Sequence, residues 1–282
     1  MPYFHVIVPE ELRDALRRHQ KVGYGTLITL TAGAIVDLVR DSRWVGGTPG
    51  VLAVLHTWTQ RLAFHPHVHC LVDGGGLSDD GALWKEAGKT FLFPKSALAR
   101  VVRARFRDAL AKLCPQVEVP RHVWQIPWVV HIATWGHGEQ AVLDYLARYV
   151  FRIAITNNRV LDVDANAVTF RYTDRAAKRP RTQTVSGHEF MRRFLQHVLP
   201  AGFHKVRYYG LWHPSRRGQR DNLRNVLLLR QPACPQAAST DPPRQAPAAE
   251  TDKAPQPILC PHCQTGHLRL LCRLSPARPR GP

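Results

Sequence analysis

Two strand-like runs, residues 51–60 and 66–72, stand close together in the first third of the chain, and the second belongs to His65-Pro66-His67-Val68-His69-Cys70. Side chains alternate along a strand with a period of two, so His67 and His69 share one face and Val68 and Cys70 the other. With a hairpin around Arg61 to Phe64, cross-strand pairing sets His56 opposite His69 and Trp58 opposite His67. The fold must then contain a sheet with one apolar face and one face bearing imidazoles. Neutral imidazoles converging on one face suit a divalent metal, and His56, His67 and His69 together would leave coordination positions open for a substrate. His56, in Leu55-His56-Thr57-Trp58, is either that third ligand or a satisfied core histidine. Gln60 is an alternative donor, and His65, on the same face by parity at the strand start, is a candidate phosphate contact.

A metal of this kind needs a partner group, and Tyr145-Leu146-Ala147-Arg148-Tyr149 offers one. Tyrosines four apart on a helix lie one turn apart on one side. Leu143, Leu146 and Val150 define the apolar arc, which puts Tyr145 and Tyr149 at its margin beside Arg152. They are either half-buried core-edge tyrosines or nucleophiles. A phenol with a pKa near 10 is a poor nucleophile by itself; a metal that polarises the phosphate and a nearby cation such as Arg152 or Arg148 lower the barrier.

The charge agrees with a polyanionic partner. The formal net charge is +18 and the isoelectric point about 10.4, which favours nucleic acid because each neutralised phosphate releases counterions. At 44% hydrophobic residues the chain can bury a core. No apolar run of about 18 residues is evident, so no membrane span is expected. The first residues lack a signal peptide's basic and apolar regions, and six scattered cysteines favour a reducing cytoplasm over a disulfide framework; with DNA as partner, a nucleoid-associated setting is expected.

The remaining pattern predicts a strand at 3–8, a short helix from Glu10 to His19 and a helix from Thr26 to Arg40. A further helix spans Lys95 to Leu113, with Leu98, Val102, Phe106, Ala109 and Leu113 as its apolar stripe. Arg100, Arg103 and Arg107 fall opposite, as a solvated face or a backbone track. Residues 123–133 read as extended, Gly138 to Arg152 as helix, and 153–161, 167–173 and 181–186 as strands. Ser186 caps a helix through Phe190, Phe194 and Val198, with Glu189 at capping-box spacing. Strands and helices mix without βαβ alternation, which predicts an α+β domain with a central, mainly antiparallel sheet carrying the histidine strand and flanked by helices. Seven prolines in residues 231–259 mark a disordered linker. The expected organisation is a catalytic domain over 1–230, the linker over 231–259 and a basic tail over 260–282. In that tail Cys260, Cys263, His267 and Cys272 form a candidate zinc knuckle.

These residues resemble the two-tyrosine HUH transposases of rolling-circle insertion sequences, of the insertion sequence ninety-one type, in which a histidine-hydrophobe-histidine motif corresponds to His67-Val68-His69. The resemblance covers about residues 2 to 230. It includes Leu55 to Trp58, His65 to Cys70, Gly74 to Gly76, Tyr145 to Tyr149, Ala154 to Asn157, Val168 to Tyr172, Phe190 to Phe194, Leu199 to His204 and Val206 to Gly210. It implies cleavage and rejoining of single-stranded or hairpin DNA at element ends, a 5′-phosphotyrosine with a free 3′-hydroxyl, and Mg²⁺ or Mn²⁺ as cofactor. Related rolling-circle and relaxase enzymes place a third histidine ligand at about the spacing of His56 from His67. Family members usually carry a zinc-binding segment ahead of the first strand, so a truncated copy is expected here, and Asp73 stands where proline is more common. The alternatives are a nonenzymatic DNA-binding remnant and a replication-initiator or relaxase-like nicking enzyme, the latter predicting an attached helicase or primase domain. A tyrosine-independent metallo-hydrolase lacks its acidic cluster.

Overall fold

The computed structural model describes residues 2–88, 92–134, 144, 146–150, 154–174, 177–230, 258–259 and 267–268. The chain divides into two units, Met1–Pro232 and Ala233–Pro282. In chain order the first begins with β1 (Pro2–Ile7), α1 (Arg13–Arg18), α2 (Gln20–Arg40), β2 (Gly50–Trp58) and β3 (Phe64–Val72). Next come β4 (Gly75–Leu77), β5 (Trp84–Glu86), α3 (Lys95–Leu113) and β6 (Val129–Thr134). It continues with β7 (Val160–Val163), β8 (Ala167–Asp174), β9 (Arg179–Ser186), α4 (Gly187–Leu195), β10 (Val206–Gly210) and α5 (Arg217–Arg230). The second unit contains β11 (Ile258–Leu259) and β12 (His267–Leu268), an antiparallel pair with Leu259 opposite His267.

The fold is α+β. Its central sheet has the order β10-β2-β3-β1-β6, antiparallel at every pairing, so the histidine-bearing β3 is the middle strand. Alternation sorts the two faces. Phe4 and Val6 of β1, Val51, Ala53 and Leu55 of β2, and Val68, Cys70 and Val72 of β3 enter the main core. There they meet Leu27, Ile28 and Ile35 of α2 and Leu98, Val102, Phe106 and Leu110 of α3. Phe4 is fully buried and stacks on Phe93 at 5.1 Å between ring centroids; burying such a ring contributes about 1.5–3 kcal/mol. The opposite face carries a small apolar cluster of Tyr3, Leu52, Val54 and Leu71, with Leu146 and Val150 packed on it.

α2 begins six residues earlier than the pattern predicts and is long and apolar enough to cross a membrane by length and composition alone. Within this unit half of that stretch is buried, and Leu27, Ile28 and Ile35 supply the core. Thr, Gly and Ala interrupt its apolar run in sequence, and its buried side chains serve the core of this unit.

A second layer is built from the three-stranded sheet β7-β8-β9 and α4. Its core of Leu62, Ala154, Ile155 and Phe170 draws in Trp58 and Phe190. Leu62 comes from the β2–β3 turn, where it takes a left-handed φ of 59°. The buried His197 clamps that turn: one ring nitrogen donates to the Leu62 carbonyl at 3.2 Å and Nδ1 accepts from the Thr57 hydroxyl at 3.2 Å. Burial pushes the His197 pKa down to about 4, so the ring is neutral and can both give and accept. Ser186 caps α4 as expected, accepting from the Glu189 N–H at 3.2 Å.

Several local readings are corrected. In the β2–β3 hairpin His56 pairs with His67, Val54 with His69 and, after a bulge, Trp58 with Phe64. The turn comes earlier than predicted, over residues 59–63, where the Thr59 hydroxyl accepts from both Arg61 and Ala63 N–H. A slip of two residues keeps every histidine on its expected face. The buried stripe of α3 ends at Leu110, while Leu113 is 57% exposed at the last turn. Within residues 123–133 only β6 is extended, because Arg121–Trp124 forms a 3₁₀ turn after Pro120. β7 begins at Val160, after a 3₁₀ turn at Asn157–Arg159, and α4 ends at Leu195. Gly75 and Gly76 open β4, where a Cβ on Gly76 would lie 2.4 Å from the Gly47 backbone.

Candidate active site

The histidines line up as rows across the polar face of the central sheet. One row runs Val54, His69, His5, His131 across β2, β3, β1 and β6. The next runs His56, His67, Ile7. His56, His67 and His69 are 4–5% exposed. The His5 ring centroid is 4.6 Å from that of His67 and 4.5 Å from that of His69, and His56 is 4.5 Å from His69 and 5.6 Å from His67. One ring nitrogen from each of His5, His67 and His69 lies within 4.8 Å of the others. Those three can hold a metal as the structure stands, with His56 forming the adjoining wall.

The chemistry of the donors fits a divalent ion. Burial, then the neighbouring imidazoles His5 and His56, hold the His67 pKa well below its ordinary value, so its ring is neutral and keeps a lone pair. Its Nδ1 lies 2.6 Å from the His65 carbonyl; as the donor there, it puts the lone pair on Nε2. The Tyr3 hydroxyl hydrogen-bonds Nδ1 of His69, the kind of outer partner that fixes a ligand's tautomer. A cleft of about 860 Å³ opens over the cluster, walled by Trp58, Gln60, Asp144, Ala147 and Arg159 among others. Trp58 stacks on His56 at 4.5 Å. Arg159 donates Nε to the Arg171 carbonyl at 2.9 Å, Nη1 to Ala154 at 3.2 Å and Nη2 to Gln60. These bonds hold a fixed positive charge at the cleft wall.

Of the residues expected from sequence, His56, His67 and His69 come together, and Gln60 lines the same cleft. His65 lies at its margin, its Nδ1 3.1 Å from an Arg13 guanidinium nitrogen. Tyr145 and Arg152 lie outside the described residues, as does most of the helix expected over Gly138 to Arg152. The backbone of Arg148 and Tyr149 falls within a π-helical segment, Leu146–Val150. That segment lies on the polar face beside the histidines, since Leu146 and Val150 pack on the Tyr3, Leu52, Val54 and Leu71 cluster and Ala147 lines the cleft. Asp73 sits at the far end of β3, accepting from the Gly50 N–H at 2.8 Å, and is not among the cleft residues. Of the tail's four candidate zinc ligands only His267 is among the described residues.

Sequence reasoning missed His5, Tyr3, His131 and Arg159. A signal for the first two existed: in Tyr3-Phe4-His5-Val6-Ile7 the polar positions alternate with apolar ones. What could not be read was that β1 pairs with β3, more than sixty residues away, setting Tyr3 opposite Leu71 and His5 opposite His69.

Residues 50–220 match the Y2_Tnp family model, described as "Putative transposase". The chain is 35% identical, over 94% of its length and 72% of the relative's, to "Putative transposase y4qJ" of Sinorhizobium fredii strain NGR234. It is 28% identical, over 62% of its length and 46% of the relative's, to the transposase for insertion sequence element IS801 of Pseudomonas savastanoi pv. phaseolicola. No solved structure matches. The family match covers more than half of the chain and includes β2, β3 and the tyrosine-bearing segment: this protein belongs to the Y2_Tnp family of putative transposases.

Proposed function

We propose that the protein cleaves and rejoins single-stranded DNA at the ends of its element through a phosphotyrosine intermediate, in rolling-circle-like transposition. The observation that carries this reading is the imidazole cluster of His5, His67 and His69, with His56 beside it, in a cleft flanked by the Leu146–Val150 segment. A bound Mg²⁺ or Mn²⁺ would polarise the scissile phosphate, and a donor set made of nitrogen atoms suits Mn²⁺ better than Mg²⁺. The chain's own residues do the rest. Arg159 supplies a fixed cation for the phosphate, and Trp58 offers a face on which an unpaired base can stack. The hydroxyl of Tyr145 or Tyr149 attacks phosphorus. The tyrosine O–P bond forms, the P–O3′ bond breaks, the phenolic proton leaves, and the departing 3′ oxygen takes up a proton to become the 3′-hydroxyl. The phosphodiester energy stays in the protein–DNA link for religation, and two tyrosines allow two such transfers.

The test is incubation with single-stranded DNA carrying an element end plus Mn²⁺, followed by denaturing electrophoresis. A covalent adduct is expected. It should vanish in His69→Ala and in the double variant Tyr145→Phe/Tyr149→Phe. An adduct that survives the double variant would rule out these nucleophiles. Intact DNA binding with no adduct from the unmodified chain would identify a nonenzymatic remnant.

A further inference from the structure

The surface made by the sheet edge at β10 and the helix that follows plays no part in the histidine cleft. Tyr208 sits in the middle of β10 opposite Leu52 and is 48% exposed. Arg217, Arg220 and Arg224 recur at three- and four-residue spacing on α5, so they share one helix face. With Tyr208, Trp212 and Asp221 they line a cleft of about 620 Å³. On the other side of Tyr208 a second cleft, of about 590 Å³, is lined by Lys21, Phe203 and Arg207. Arg207 is held there with its guanidinium 5.1 Å from the Phe203 ring centroid. Against these cations the described lining of the two clefts offers one carboxylate, Asp221, which lies 3.9 Å from Arg217.

We propose that this surface is a second binding site for single-stranded DNA, which positions the strand that the histidine cleft cuts. The arginine face of α5 neutralises successive phosphates, and Tyr208 with Trp212 stacks unpaired bases. Aromatics interleaved with cations are the chemistry of single strands, because every unpaired base has a face to stack, whereas a duplex exposes only base edges and backbone. Register supports the placement. Tyr208, Leu52, Leu71 and Tyr3 form one row across β10, β2, β3 and β1. Tyr208 therefore lies two strands from β3, about 10 Å away, at the edge of the same polar face. Leu146 and Val150 pack on the apolar cluster between, so a strand held at both sites crosses the tyrosine-bearing segment. The inference rests on the DNA-strand reading above and adds a site to it.

Fluorescence anisotropy of a labelled oligothymidylate with the full chain, across a series of KCl concentrations, tests it. The triple variant Arg217→Ala/Arg220→Ala/Arg224→Ala should weaken binding and lower the slope of log K against log[salt] by about 2, from three phosphates at about 0.7 each. Tyr208→Ala should weaken binding about tenfold with the slope unchanged, and Tyr208→Phe should restore it. Thermal melting should be unaltered, since these residues are outside the core. An unchanged affinity and slope in the triple variant would overturn the proposal. So would equal binding of duplex and single strand, lost equally in the triple variant, which would mark a duplex site. The catalytic reading fails separately: an unmodified chain that forms no adduct, yet binds oligothymidylate through these arginines, keeps this site and loses that chemistry.

Discussion

Along β3 the side chains of Val68, Cys70 and Val72 enter the main core, whereas His67, His69 and Leu71 face the other way. The neighbouring strands repeat the division: Phe4 and Val6 against Tyr3 and His5 on β1, Ala53 and Leu55 against Val54 and His56 on β2. One face is satisfied by shape and apolar area. On the other, buried imidazoles exclude water without the packing gain of aliphatic groups, and burial drives His67 towards its neutral form. Such a face adds little stability and is intelligible as a ligand set. The same strands thus divide the work, the apolar face fixing the sheet so rigidly that four side chains on its back meet within a ring's width.

The largest expected effect tests the apolar side. Phe4→Ala removes a fully buried ring stacked on Phe93 and should cost about 3–5 kcal/mol in urea unfolding, through lost transfer energy and the cavity left behind. On the other face His69→Ala should reverse the balance. It should cost about 1–2 kcal/mol of metal-free stability, chiefly from the lost hydrogen bond to the Tyr3 hydroxyl, and lower Mn²⁺ affinity by more than about a hundredfold in titration calorimetry. If His69→Ala unfolds the protein as Phe4→Ala does, the imidazole face is structural and the division fails.

Asp73 sharpens the comparison at the far end of β3. It is partly buried there, and desolvation, only partly offset by the Gly50 N–H, pushes its pKa up to about 7. The folded chain therefore holds a proton that the unfolded chain releases. By linkage, stability falls as pH rises from about 4, the unfolded value, towards 7. Asp73→Asn should keep the Gly50 hydrogen bond, flatten that decline, and melt higher than the unmodified chain at pH 8. Equal slopes for the two in melting temperature against pH would show that Asp73 ionises without penalty.

Much of this architecture is legible in the chain because it is local. Period-two alternation gives the faces of β2 and β3, the apolar spacing gives the bounds of α3 though not the end of its buried stripe, and Ser186 with Glu189 gives the α4 cap. Register was less secure, since a bulge and the left-handed Leu62 shorten the hairpin by an amount that alternation does not encode. The rest depends on contacts between distant segments. Nothing near His5 says that β1 lies beside β3, and nothing near Arg159 says that its guanidinium reaches back to Gln60. The core face tolerates that ignorance because any apolar residue of suitable size reads as core. The histidine face does not, because which imidazoles meet is decided by which strands are neighbours.

The smallest expected effect locates the border of the proposed donor set. His131 closes the row on the edge strand β6, directly opposite His5, with ring centroids 5.9 Å apart. Unlike the other four imidazoles it is exposed, so solvent competes for its ring nitrogens and its rotamer is not locked by packing. His131→Ala should change stability by less than about 0.5 kcal/mol, as for other surface substitutions, and leave Mn²⁺ affinity within about twofold of the unmodified chain. His5→Ala, one strand inward, should weaken it at least about tenfold. The pair of variants turns distance along one row into a measured decline in ligand strength. Should His131→Ala lose as much affinity as His5→Ala, the metal would sit between β1 and β6, and His67 would be too far across the sheet to hold it.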